Sequence, residues 1–213
     1  MIMPPEKIRQ DSNFPFGRYI LRPLALRVAS KCRVSANAVT WIGFVAGVIG
    51  LGLLATGWYW GAIAGAVLVI ANLFCDHVDG PVSRITGTAS LHGQWLDGFS
   101  GYVVEMGVPV AVGLGLFISA DNAGFLVIGL VFALLRCFSR LMSAYYNRVF
   151  GENLVSGGKQ NPLYKAGLLF LSLDYPLLLI AAATNTLGLY LIAYSLAAIG
   201  ELGVICLKSY TSR

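Results

Sequence analysis

The sequence predicts an all-α polytopic membrane protein: six transmembrane helices preceded by an N-terminal amphipathic interfacial helix. Three observations lead there. Of 213 residues, 57% are hydrophobic and only 12% charged, where a soluble domain carries about 25% charged residues. Apolar runs repeatedly reach the roughly 20 residues that cross a bilayer as a helix. Lys and Arg gather in alternate connections and leave the others bare, the pattern of a chain that weaves through a membrane.

Residues 1–17 are polar and proline-rich and read as irregular. From Arg18 to Arg33, Tyr19, Ile20, Leu24, Leu26 and Val28 oppose Arg18, Arg22, Arg27, Lys31 and Arg33, which predicts a helix lying in the interface. Pro23 interrupts that pattern. Ser35 or Asn37 can cap the first span. The six spans are expected at 36–57, 59–79, 94–118, 122–147, 163–183 and 186–208. Gly43, Gly47, Gly50 and Gly52 in the first, with Gly61 and Gly65 in the second, permit close helix approach. Residues 151–162, containing Gly157, Gly158 and Pro162, read as a flexible loop. Trp41, Trp58 and Trp60 read as interfacial anchors. The chain thus divides into a segment 1–35 and one six-helix domain 36–213, with no internal repeat.

Orientation follows from the basic residues. Lys7, Arg9, Arg18, Arg22, Arg27, Lys31 and Arg33 precede the first span. Arg84 follows the second, Arg148, Lys159 and Lys165 follow the fourth, and Lys208 and Arg213 end the chain. The loops near Trp58, Asp121 and Asn185 hold none. Both termini are therefore expected in the cytoplasm, and a bacterial-type inner membrane is expected. The net charge of +5 suits anionic lipid headgroups; because it surrounds apolar spans, nucleic acid is a poor partner. The first 35 residues lack a continuous apolar core, so no cleavable signal sequence is expected. Cys32, Cys75, Cys137 and Cys206 are scattered without metal-ligand spacing and read as free thiols.

Chemistry concentrates in Asp76-His77-Val78-Asp79-Gly80-Pro81-Val82-Ser83-Arg84, followed by Gly93 and Asp97. Charged groups in membrane segments are costly and point to function. Asp76 and Asp79, three residues apart, share one helix face. Gly80 and Pro81 are expected to break the helix into a tight turn, and two antiparallel helices joined there would bring Asp97 against both acids. Converging carboxylates need a compensating charge. Hard oxygen ligands suit Mg²⁺, Mn²⁺ or Ca²⁺. An adjacent arginine and the hydroxyls of Ser83, Thr86, Thr88 and Ser90 suggest a phosphate or pyrophosphate ligand.

At these residues the chain resembles the CDP-alcohol phosphotransferase family, whose pattern is D-x2-D-G-x2-A-R-x8-G-x3-D-x3-D. Asp76, Asp79, Gly80, Arg84, Gly93 and Asp97 match in type and spacing. Val34-Ser35-Ala36-Asn37-Ala38-Val39-Thr40 also looks like the start of the family's first helix. Ser83 stands where alanine is usual, and Gly101 stands at the last aspartate. The resemblance implies a membrane transferase in which an alcohol attacks the β-phosphorus of a CDP-linked donor such as CDP-diacylglycerol and CMP leaves. It implies Mg²⁺ or Mn²⁺ held by Asp76, Asp79 and Asp97, and nucleotide contacts from Asp76, Asp79, Gly80, Ser83, Arg84 and Gly93. It also implies a homodimer. The carboxylate missing at Gly101 is the one the family assigns as general base. Glu105 lies one turn further along the same face, about 6 Å along the axis, too far for direct substitution. His77 and His92 lie nearer the mouth and read as alternative proton acceptors, though neither holds a catalytic position of the family.

Arg136 and Arg140, one turn apart in the fourth span, have two readings: a pocket for the phosphate or carboxylate of an acceptor or for the donor lipid's phosphate, or ion pairing with Glu105 or a site aspartate. Asp174, before Pro176, reads as a local polar bend. Glu201 pairs at most loosely with Lys208. Trp95 is expected at the mouth of the site. Two other functions stay open: a non-catalytic membrane protein that binds a CDP-lipid or nucleotide, and a small cation-coupled transporter, which the position of the acids away from the midplane disfavours.

Overall fold

A bilayer offers an extended backbone no hydrogen-bond partners, so apolar runs of this length fold as helices. The computed structural model describes residues 21–31, 33–150, 170 and 173–211, and every regular element among them is helical. These are α1 (Arg22–Ala29), α2 (Ala36–Ala55), α3 (Tyr59–Thr86), α4 (Leu91–Ala120), α5 (Ala123–Phe150), α6 (Asp174–Ala183) and α7 (Leu187–Thr211). Helices α2, α3, α4, α5 and α7 are long and apolar enough to cross a membrane. Of the expected span 163–183, the described part is α6, a shorter apolar helix; residues 163–169 and 171–172 lie outside the described residues. So do the segment 1–20 with its three basic residues, Cys32, the loop 151–162 and Lys165. Cys75 and Cys137 are free thiols.

The helix ends follow local chemistry. Ser35 caps α2, its Oγ accepting from the Ala38 N–H at 3.3 Å. Ser90 caps α4 in the same way, accepting from the Gly93 N–H at 3.0 Å. Three expectations about proline are corrected. Pro23 lies in the first turn of α1, where its missing N–H costs nothing, so it starts that helix and does not interrupt it. Pro176 likewise falls in the first turn of α6 and makes no bend. Gly80-Pro81 does not end the second span: α3 runs through Pro81 to Thr86. Membrane helices tolerate an internal proline because neighbours re-satisfy the freed backbone groups. The stop comes at Gly87, whose φ of 68° is a left-handed conformation that glycine adopts without steric cost, and the Thr88 N–H turns back to the Ser83 carbonyl at 3.0 Å.

Helix α2 packs against α3 and α4; α5 bridges α4 and α7, while α6 rests on α3 and α7. Helices α2 and α3 cross closely. A Cβ on Gly65 would lie 2.6 Å from the Gly50 carbonyl, and one on Gly50 would lie 2.8 Å from the Gly65 carbonyl. Backbones that close gain dispersion contacts that larger side chains would prevent. The main core joins Leu54, Val69, Val104, Val112, Leu178 and Leu191 with Tyr194. A second cluster sits at the other end of α3, where Ala25 and Ala29 of α1 meet Val78 and Val82. Helix α1 therefore buries its alanine face on the stretch of α3 that carries the acidic motif. Leu24, Leu26 and Val28 stay exposed, as an interfacial helix requires.

Candidate active site

The continuity of α3 decides where the motif residues stand. Asp76, Asp79, Gly80, Ser83 and Arg84 occupy its last three turns, and the short link Gly87–Ser90 returns the chain so that Gly93 and Asp97 open α4 beside them. The start of α2 closes the third side: a Cβ added to Gly93 would lie 3.0 Å from Asn37 Oδ1.

Asp79 is buried at 5% exposure. Thr40 Oγ1 donates to its Oδ2 at 2.5 Å, with the Ala36 carbonyl a longer alternative at 3.1 Å. The hydroxyl has one proton, so the short contact to the carboxylate fixes its direction. Asp76 interacts directly with the Asp97 carboxyl and, at longer range, with Asp79 and Glu105. Asp79 is in turn an electrostatic neighbour of Asp97 and Arg84. Asp97 is thus an electrostatic neighbour of both Asp76 and Asp79. Asp97 Oδ1 is buried with no hydrogen-bond partner, and an orphaned buried carboxylate oxygen calls for a counter-charge. Among the described residues no three His, Cys, Asp or Glu side chains stand grouped as a metal-binding set. The donors are nonetheless all hard oxygens, the chemistry Mg²⁺ and Mn²⁺ take.

Gly80 keeps the backbone open beneath Arg84: a Cβ there would lie 3.4 Å from Nη2. The Ser83 hydroxyl donates to the Gly80 carbonyl at 2.9 Å, which commits its proton to the helix. At Gly101 an added Cβ meets nothing within 4 Å. The place of the missing carboxylate is therefore open space.

Beyond Gly101 lies a charge cluster. Glu105 accepts from Arg136 Nη2 at 2.6 Å, and Arg140 Nη2 donates to both its oxygens at 2.9 Å. Arg136 Nη1 reaches Glu201 at 2.9 Å. Of the two readings open for the arginines, pairing with Glu105 is the one observed, and Glu201 pairs with Arg136. Engaged by two guanidiniums, Glu105 is a poor base. Asp174 accepts from the Tyr190 hydroxyl at 2.5 Å. His77 Nδ1 lies 2.9 Å from the Leu73 carbonyl and 3.5 Å from Asp76 Oδ2. Trp95, 62% exposed, stacks on Phe99 with centroids 5.4 Å apart, and His92 continues the ladder at 6.2 Å.

Sequence reasoning missed Thr40 as a partner of the site and Glu201 as a partner of Arg136. Each is a polar group in an apolar run, which is a signal, but the partner is a long-range contact no spacing rule supplies. A cavity of about 560 Å³ opens at the opposite end, lined by Gly57, Trp58, Tyr59, Ser119, Asn185 and Thr186 among others, and holds no motif residue.

Carboxylates and an arginine gathered at one end of an apolar helical bundle define an integral membrane protein with a polar site at its helix ends. The family model described as CDP-alcohol phosphatidyltransferase matches residues 33–203, and the chain belongs to that family. It is 34% identical over 67 residues to the inner membrane protein YnjF of Escherichia coli (strain K12). That match takes in 30% of this chain and 31% of the relative, so the chain spans about a third of the length of the curated relative it matches. The fold is similar to the crystal structure of Mycobacterium tuberculosis phosphatidylinositol phosphate synthase with CDP-DAG bound. There the TM-score is 0.56 at 19% identity, over 87% of this chain and 93% of that one.

Proposed function

We propose that the chain transfers a phosphatidyl or substituted phosphoryl group from a CDP-linked donor, such as CDP-diacylglycerol, to an alcohol, releasing CMP. The observation that carries this reading is the convergence of Asp76, Asp79 and Asp97 beside Arg84 in a chain of this family. In the reaction, the acceptor oxygen bonds to the β-phosphorus and the bond from that phosphorus to the bridging oxygen breaks. CMP departs with the electron pair, and the hydroxyl proton passes to water.

Asp76, Asp79 and Asp97 would hold Mg²⁺ or Mn²⁺, which when bound offsets charge on the pyrophosphate. Thr40 holds Asp79 in one orientation. Gly80 and Gly93 let the backbone approach the nucleotide, and Arg84 and Ser83 contact it. The general base of the family is absent at Gly101, a loss that costs about 10²- to 10⁴-fold in rate. Both termini and the site face the cytoplasm, a reading the basic segments support, and the protein works as a homodimer.

Gly101 also favours a second reading, a non-catalytic protein that binds the CDP-lipid. The test is CMP release by protein in lipid nanodiscs with CDP-diacylglycerol, a panel of alcohols and Mg²⁺ or Mn²⁺, with Gly101→Asp alongside. CMP formed by the unaltered chain supports the transferase. Donor binding with no CMP from either protein supports the second reading and rejects the first.

A further inference from the structure

We infer that this chain takes an uncharged acceptor alcohol and excludes phosphorylated ones, because the two arginines beside the site are already filled by Glu105 and Glu201. This rests on the transferase reading and names its acceptor class.

The charge cluster borders the reacting end. Glu105 lies on α4 one turn past Gly101 and is an electrostatic neighbour of Asp76. Arg136 and Arg140 are the guanidiniums that pack against this stretch of α4. A phosphorylated acceptor, its hydroxyl directed at the donor, would set its phosphate among these groups. Arg136 is held on two sides, by Glu105 and by Glu201, with only 11% of its side chain exposed. Arg140 is 42% exposed, but its Nη2 spans both oxygens of Glu105 while Nε reaches Oε1 at 3.2 Å. Two acids against two arginines sum to zero.

An incoming phosphate would have to detach Arg140 from this forked contact, which is among the stronger side-chain pairings. It would then face the released Glu105 carboxylate at close range, and like-charge contact at a desolvated site is strongly unfavourable. A hydroxyl-bearing acceptor without charge meets no such penalty. The tethered glutamates act as built-in occupants of an anion pocket and select by repulsion.

Two readouts test this. The first uses inorganic phosphate as probe on protein in nanodiscs. Millimolar phosphate leaves the thermal unfolding midpoint of the unaltered chain unchanged and raises that of Glu105→Gln. Glu201→Gln, which frees one side of Arg136 and removes a half-buried carboxylate, provides a second variant if Glu105→Gln does not fold. The second readout is CMP release with matched acceptors: inositol against inositol 1-phosphate, and glycerol against glycerol 3-phosphate. The uncharged member of each pair should have the higher kcat/KM by more than about tenfold, and Glu105→Gln should move the ratio toward the phosphorylated member. A phosphate-dependent midpoint in the unaltered chain that Arg140→Gln abolishes would overturn the inference. So would preference for the phosphorylated acceptors, and that result would leave the transferase reading intact. No CMP with any acceptor would overturn both the transferase reading and the acceptor class that rests on it.

Discussion

On the transferase reading, Gly101 is the residue on which activity turns. It sits where the family places its base, and an added Cβ there meets no neighbour. Gly101→Asp should therefore fold as the unaltered chain does and raise CMP release by about 10²-fold or more, measured in the nanodisc assay. Thr40 is the second residue to test. Thr40→Val keeps the shape but removes the hydroxyl that donates to Asp79 Oδ2; leaving such a buried acceptor unpaired costs about 1–3 kcal/mol. The expected outcome is weaker Mn²⁺ binding by electron paramagnetic resonance, with Thr40→Ser restoring it. Retention of full Mn²⁺ affinity by Thr40→Val would show that Asp79 needs no such anchor. Both experiments read a single side chain. Only Gly101 was legible in advance, because the motif has a place for it.

Among the elements, α3 departs furthest from its sequence. Gly80-Pro81 is a strong stop signal for a soluble helix, yet α3 continues to Gly87, because packing in a bundle overrides local propensity. Gly65 inside α3 and Gly87 at its C-cap accordingly make different predictions. Gly87→Ala, at a left-handed position with nothing nearby, should cost about 1 kcal/mol in thermal unfolding. Gly65→Leu would drive a side chain into the α2 backbone and should cost more, about 1–3 kcal/mol or outright misassembly. Asp97 still lies within electrostatic reach of Asp76 and Asp79 although α3 runs on through Pro81, because the link between α3 and α4 is short. The five long helices were legible from apolar run length. The ends of α3 and α4 were not, because charged and hydroxyl residues continue a membrane helix past its apolar stretch. Glu201 as a partner of Arg136 was hidden for a different reason: α5 and α7 must pack before the two can meet.

At the scale of the molecule, the glutamate–arginine cluster ties α4, α5 and α7 where apolar packing alone carries no charge specificity. Arg136→Met should lower stability by about 3–5 kcal/mol by leaving two carboxylates underpaired. Adding Glu105→Gln and Glu201→Gln should recover much of it, which thermal unfolding of the triple variant would show. The rest of the bundle is indifferent to the reacting position. Gly101 touches nothing, so the scaffold can carry either residue there without rearranging. Glycine codons ending in a pyrimidine differ from aspartate codons by one base. On the transferase reading, a single mutational step would silence or restore catalysis while folding and membrane insertion are inherited unchanged.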